Sequence, residues 1–212
     1  MQEISNRQKM TAFVVLAVPF ILNDLAFLAL NGGYGVYLVD YATRVLVLAI
    51  CLLWPPARYV VMQPSRPDAP VYLAVLALVV LVVAGRLLTI YVEPAFDGVA
   101  EWGRFFRFGP IESPALRWFD LTAGLFLVAL SEELVFRKFA LSALSAITSR
   151  RAVIVVLSAV IFALIHWSGG MSQLITTFLF GAIYMVVYLK IGTLWPLVAA
   201  HWIENYLQFA EM

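Results

Sequence analysis

Long apolar stretches follow one another along almost the whole of this chain. A helix needs about 20 mostly apolar residues to cross the hydrocarbon core of a bilayer. Hydrophobic residues make up 63% of the 212 positions, against about 45–50% in an ordinary soluble domain. The sequence therefore predicts an all-α fold, a polytopic transmembrane helical bundle. The stretches of sufficient length are Thr11–Leu30, Gly35–Trp54, Val71–Val92, Phe119–Leu141, Ala152–Trp167, Gln173–Leu189 and Leu194–Phe209.

These stretches predict seven spans, with eight spans as the alternative. Glycine and proline mark the breaks between them, because both residues interrupt helices. The clearest breaks are Asn31-Gly32-Gly33, the proline-rich segment 55–70 and Ser168-Gly169-Gly170. The chain has neither an internal repeat nor a low-complexity segment, so residues 1–212 are predicted to form a single integral membrane domain.

The basic residues of the connections predict the orientation, since cytoplasmic loops carry an excess of Lys and Arg. With the N-terminus inside, seven basic residues fall on the inner side and three on the outer side. We therefore predict a multi-pass protein of the cell (inner) membrane with a cytoplasmic N-terminus. The inner residues are Arg7, Lys9, Arg58, Arg66, Arg150, Arg151 and Lys190, and the outer ones are Arg104, Arg107 and Arg117.

The longest connection, Glu93–Trp118, mixes aromatic and basic residues. Its aromatic side chains are typical of a segment anchored at the membrane interface. The alternative is a lid or substrate-guiding element beside a site. The residues concerned are Trp102, Phe105, Phe106 and Phe108, interleaved with Arg104 and Arg107.

Two classes of function are excluded by simple counts. Cys51 is the only cysteine, so an intrachain disulfide and a cysteine-rich metal site are impossible, and its apolar surroundings argue against a nucleophilic thiol. The net charge is only +1 and no basic cluster occurs, so we expect no nucleic-acid partner.

Polar side chains interrupt three of the later apolar stretches. Charged groups inside the bilayer are rare and usually functional, because each costs at least about 2.5–3.5 kcal/mol to insert. Both histidines of the chain lie in these stretches, and we expect neither in a connection. Three pairs have a spacing of four residues, which places each pair on one helix face: Glu133 with Arg137, Phe162 with His166, and His201 with Asn205.

These groups fit the hydrolysis of a peptide bond by water. Arg137 is expected to pair with Glu133, which leaves Glu132 free to take a proton from water, and desolvation makes a buried carboxylate a stronger base. His166 would help to position that water. His201 and Asn205 are suited to hold the oxyanion that develops on the attacked amide. Each residue alone could instead make a hydrogen bond or salt bridge between helices, but a structural bridge does not require all three helices.

A zinc site made of Glu132, His166 and His201 is the alternative, since two histidines and a glutamate form a known catalytic ligand set. Asn205 is a poor zinc ligand and is better explained as a hydrogen-bond donor. We therefore expect no cofactor and rank the metal-free mechanism first. His-Glu-x-x-His, Gly-x-Gly-Asp and Gly-x-Ser-Gly are all absent from the sequence, which disfavours other intramembrane protease mechanisms.

The three motifs Glu132-Glu133-x-x-x-Arg137, Phe162-x-x-x-His166 and His201-x-x-x-Asn205 resemble, in order and separation, those of the CAAX-protease and bacteriocin-processing family of intramembrane endopeptidases. The resemblance covers residues 121–207. It implies a helical core around a polar cavity, here residues 119–209. It also implies that Glu132 activates water with His166, that His201 and Asn205 form the oxyanion site, and that Glu133 and Arg137 support them.

The expected function is thus an intramembrane endopeptidase that cleaves near the C-terminus of a membrane-associated or lipid-modified substrate. The expected partners are the lipid bilayer and a protein or peptide that is prenylated or ends in a membrane-associated tail. One alternative is a non-catalytic bacteriocin-immunity or peptide-binding membrane protein. A transporter is disfavoured by the absence of internal repeats.

Further polar residues lie in the first three stretches and beside Asn205. Asp40 and Arg44 are four residues apart and can pair on their own helix. A bridge between Asp24 and Arg86 is a second expectation. For these residues a structural role is favoured over a catalytic one. Glu204 is a candidate for a supporting position beside the site.

Overall fold

Helices account for almost all of the computed structural model, which describes residues 3–30, 32–64, 69–96, 105 and 108–210. Within these ranges the chain contains no β-strand, and the predicted all-α fold is confirmed. Asn31, Arg66, Trp102, Arg104, Phe106 and Arg107 lie outside the described residues. The helices are α1 (Asn6–Leu30), α2 (Tyr34–Leu53), α3 (Pro55–Met62), α4 (Val71–Phe96), α5 (residues 114–144), α6 (Arg151–Leu164), α7 (Gly170–Ile191) and α8 (Trp195–Phe209).

Four helical segments are long and apolar enough to cross a membrane, which makes this a multi-pass membrane protein. They are α1, α2, α4 and residues 167–191, which comprise α7 and the turn before it. At 14 and 15 residues, α6 and α8 fall short of the usual spanning length. The described residues thus establish fewer candidate spans than the seven or eight that were predicted.

Helix α5 is longer and less regular than the predicted stretch Phe119–Leu141. Ser113 caps its start by accepting a hydrogen bond from the Leu116 amide, and Pro114 occupies the first helical position. Two π-helical turns, which are wider than α-helical ones, interrupt the α-helix. They are Asp120–Gly124 and Leu134–Phe139. Wide turns of this kind occur frequently at functional sites, and the second one begins directly after Glu133.

The proline-rich segment after α2 differs from the prediction. It was expected to be a loop, yet Pro55 and Pro56 open the short helix α3. Proline is tolerated in the first turn of a helix, where the amide it lacks would have no partner. After α7 the chain reverses at Gly192, whose φ of 69° is the left-handed conformation that glycine adopts readily.

The core is a row of aromatic rings between α1, α5 and α6. Phe136 of α5 packs edge-on against Phe20 of α1 and Phe162 of α6, with ring centroids 5.2 and 5.4 Å apart. Phe13 extends the row at 6.4 Å from Phe136. Around this row α4 packs on α8, and α6 packs on α7.

The helix ends gather at two opposite faces of the bundle. We call the face with the starts of α1, α4, α6 and α8 the N-terminal face. There the ammonium group of Lys138 donates to the carbonyls of Val61 and Gln63, each at 2.8 Å, and so ties α5 to the end of α3.

The other face, here called the far face, carries the ends of α1, α4, α6 and α8. Tyr37 at the start of α2 donates to the Gly109 carbonyl at 2.5 Å, just before α5. Arg117 of α5 donates to the carbonyl of Ala210 after α8, at 2.9 Å. These contacts hold the helix ends of the far face together.

Candidate active site

Glu133 and Arg137 form a fully buried ion pair on α5. Both side chains are 0% exposed, and Arg137 Nε lies 2.8 Å from Glu133 Oε2. A second contact of 3.2 Å joins Arg137 Nη2 to Glu133 Oε1. The guanidinium also stacks over the Phe162 ring at 4.7 Å, a favourable cation–π arrangement. The predicted pair of Glu133 with Arg137 is confirmed.

Glu132 has one occupied and one open carboxylate oxygen. Its side chain is 2% exposed, and its Oε1 lies 2.8 Å from Arg44 Nη1. Among the described residues Oε2 has no hydrogen-bond partner. It faces His201 Nε2 at 3.8 Å and His166 Nε2 at 3.9 Å. The prediction that Glu132 is free of a partner was therefore wrong for one oxygen and holds for the other.

Arg44 is the functional candidate that the sequence reasoning did not place at the site. The predicted pair with Asp40 is confirmed, with Arg44 Nη2 at 2.9 Å and Nε at 3.2 Å from Asp40 Oδ1. Asn23 donates to that same oxygen at 2.7 Å. Asp40 and Asn23 thus hold the guanidinium so that its other edge meets Glu132. The available signal was a second acid–base pair at helical spacing inside an apolar stretch.

Hydrogen-bond partners assign the tautomers of both histidines. His166 Nδ1 lies 2.9 Å from the Phe162 carbonyl, which can only accept, so this nitrogen carries a proton. His201 Nδ1 lies 2.9 Å from Glu133 Oε1 and is protonated for the same reason. The Nε2 atoms of both rings are consequently left to face Glu132 Oε2. Three polar atoms from three elements therefore converge on one point.

His166 does not lie within a helix, contrary to expectation. Helix α6 ends at Leu164, and His166 follows in the turn that leads to α7, with φ −113° and ψ 20°. The turn is fastened to α1 because the Ser168 amide donates to Asp24 Oδ2 at 3.2 Å. This use of Asp24 was not foreseen, and its bridge to Arg86 stays a prediction.

A cavity of about 510 Å³ leads from these residues to the far face, a size within the usual range of ligand pockets. Asn205 and Glu204 line it, and the buried Oε1 of Glu204 has no hydrogen-bond partner among the described residues. Phe108 lines it as well, and the Phe105 amide donates to the Ser168 carbonyl at 2.8 Å. Phe105 and Phe108, two described residues of this connection, therefore lie beside the cavity and the turn that carries His166.

Within the described ranges, no group of three or more His, Cys, Asp or Glu side chains has the geometry of a metal site. Glu132, moreover, already has a guanidinium at its Oε1. A second cation beside the same carboxylate would be repelled by that charge. The zinc alternative therefore has to compete with Arg44.

Residues 114–207 match the family described as Rce1-like, type II CAAX prenyl endopeptidases. This segment is Rce1-like. The family recognised from the three motifs is thereby confirmed, over 94 of the 212 residues. Neither the curated proteins nor the solved structures yield a match. The family is one of proteases that act on protein substrates in membranes.

The Rce1-like segment does not complete the cluster alone. It contains all six residues of the predicted site, from Glu132 to Asn205. Arg44 and Asp40, which hold Glu132, belong to α2 and lie outside the match. The candidate site is therefore assembled from both parts of the chain.

We expect Arg44→Met to lower peptide cleavage by about 100-fold or more, the range of a lost general base. Without the guanidinium, Glu132 loses the contact at Oε1 that orients Oε2 toward the two histidines. Initial rates on one peptide, measured with equal amounts of folded protein, would check this. Arg44→Lys keeps the charge but lacks the planar guanidinium that contacts Asp40 and Glu132 at the same time. This variant should retain part of the activity. The exposed Arg150→Met is the control, and unchanged cleavage by Arg44→Met would contradict the assigned role.

Proposed function

We propose that this protein is an intramembrane endopeptidase that cleaves near the C-terminus of a membrane-associated or lipid-modified polypeptide. The observation that carries the proposal is the open oxygen of Glu132, buried and faced by two imidazole nitrogens. A buried carboxylate oxygen without a partner is unfavourable unless a ligand or water completes it. A water held between Glu132 Oε2 and His166 Nε2 is the nucleophile that we assign.

The reaction would proceed through a tetrahedral intermediate. The water gives a proton to Glu132 as its oxygen attacks the carbonyl carbon, and the carbonyl electron pair moves onto the oxygen. His201 and Asn205 stabilise that oxyanion. The carbonyl then re-forms, the C–N bond breaks, and Glu132 passes the proton to the leaving nitrogen. The products are a new carboxyl group and a new amine.

His201 can act as an oxyanion donor only in its doubly protonated form, because its Nδ1 proton is committed to Glu133.

The proposal includes the membrane arrangement. We place α1, α2, α4, α5, α6, α7 and α8 across the bilayer and α3 at its surface, with the N-terminal face in the cytoplasm. The short helices α6 and α8 reach across only together with the turns that adjoin them. The chain then forms one domain, with residues 119–209 as its catalytic core.

The test is cleavage by the purified protein in detergent, with C-terminal peptides that are prenylated, unmodified or joined to an apolar tail. We expect cleavage of at least one peptide class, with new termini identified by mass spectrometry. Failure to cut any of them, together with tight binding of one, would favour the peptide-binding alternative.

Metal dependence is decided in the same assay. We expect the rate to be unchanged after exhaustive chelation, because Glu132 and not a metal activates the water. A zinc peptidase carried through the same treatment provides the control and should lose its activity. Loss of cleavage that returns specifically with Zn²⁺ would establish the alternative site of Glu132, His166 and His201.

A further inference from the structure

The cavity is confined to one half of the bundle. Every helix that lines it contributes residues from the half nearer the far face: α1 from Phe20 onward, α2 up to Arg44, α5 up to Glu132 and α8 from His201 onward. Beneath the site Phe136, Arg137 and Phe139 are 0% exposed and close the floor. The described residues therefore give the cavity a mouth at the far face and none at the N-terminal face.

The solvent exposure of the residues that line the cavity increases from the floor toward the far face. Glu132 and Arg44 at the floor are buried, whereas Glu93 and Phe209 near the helix ends are partly exposed and Gln208 is exposed. A substrate segment would therefore approach past the ends of α4 and α8.

The basic residues are concentrated on the opposite face. At the N-terminal face the described residues include seven: Arg7, Lys9, Arg58, Lys138, Arg150, Arg151 and Lys190. Arg117 lies at the far face, and by sequence Arg104 and Arg107 belong to the connection that leads there. An excess of Lys and Arg in short connections marks the cytoplasmic side. This distribution of basic residues places the mouth of the cavity, at the far face, on the non-cytoplasmic side.

We propose that the active site receives its substrate from the non-cytoplasmic side, and that the substrate is a membrane-anchored polypeptide whose cleaved segment is exposed there. This inference rests on the proposed peptidase function. A protein attached by a lipid to the cytoplasmic leaflet would present its C-terminus to the closed end of the bundle. Among membrane-associated substrates, the geometry therefore selects exported ones.

The orientation can be measured without any catalytic assay. Cys51 is the only cysteine and is buried, so the unmodified chain is the blank for labelling with a membrane-impermeant maleimide. Glu112→Cys and Gln208→Cys place a thiol at exposed positions of the far face, and Ser149→Cys does so between α5 and α6 at the N-terminal face. Each variant is labelled in right-side-out and in inverted membrane vesicles.

We expect Glu112→Cys and Gln208→Cys to be labelled in right-side-out vesicles, and Ser149→Cys only in inverted ones. The reverse pattern, or equal labelling of all three from both sides, would overturn the proposal. A peptide substrate added to the same vesicles should be cleaved only in right-side-out preparations. Cleavage only in inverted vesicles would also overturn it. The expected labelling without cleavage from either side would instead overturn the peptidase function, and with it the assigned substrate.

Discussion

Glu132→Gln is expected to abolish peptide cleavage, with a loss of about 100- to 10,000-fold set by the missing general base. The amide has the shape of the carboxylate but cannot take a proton from water. Arg44 keeps its bonds to Asp40 in this variant, so the fold should survive. Single-turnover cleavage and thermal unfolding in detergent would be measured on the same preparation.

Glu112→Gln is the matched control, because Glu112 is exposed and lies outside the cavity lining. It should cleave like the unmodified protein. Cleavage at the normal rate by Glu132→Gln would show that another group activates the water. Loss of the folded state would direct the test to Glu132→Asp, which keeps the charge but withdraws the oxygen from the two histidines.

Arg137→Ala is expected to lower the free energy of unfolding by about 3–5 kcal/mol, the usual result of leaving a buried charge unpaired. Glu133 would lose its guanidinium, and the stack of Arg137 over Phe162 would be replaced by a void. His201 depends on Glu133 for its orientation, so activity should fall as well. Thermal unfolding followed at several detergent concentrations would measure the change.

A double variant that removes the charges of both Glu133 and Arg137 distinguishes the effect of the ion pair on stability from that of side-chain packing. We expect Glu133→Gln combined with Arg137→Met to be more stable than Arg137→Ala alone, because neither side chain then leaves an uncompensated charge. Arg150→Ala, at an exposed position between α5 and α6, is the control for loss of an arginine. Normal stability and normal activity in Arg137→Ala would contradict the structural role of the pair.

Local spacing was sufficient to predict the parts of the site that lie within one helix. The pairs Glu133–Arg137 and Asp40–Arg44 were both predicted from four-residue separations, since the period of a helix is the same in any fold. Arg44 and Glu132 are 88 positions apart and belong to different helices. Nothing in the period of either stretch says which helices become neighbours, so this contact could not be predicted.

The positions at which helices end were the second feature that the sequence did not predict. His166 was assigned to a span because the apolar run continues to Trp167, but hydropathy does not report where backbone hydrogen bonding stops. The turn exists because Gly170 adopts φ 81° and Ser168 bonds to Asp24 on another helix. In α5 the second wide turn, Leu134–Phe139, contains neither glycine nor proline, so no local breaker in the sequence predicts it.

The closed floor of the cavity also makes it a measure of length. The distance along α8 from its end at Phe209 down to His201 is about 12 Å at the rise of an α-helix. An extended chain covers that depth in about four residues. A folded domain cannot descend that far. Under the proposed peptidase function, the bond that is cut must therefore be separated from any such domain by at least this much unfolded chain. A bond near a chain end requires one extended segment in the cavity, whereas an internal bond requires two segments side by side in the same space. The length of unfolded chain beside the cleaved bond would therefore select substrates before their side chains are recognised.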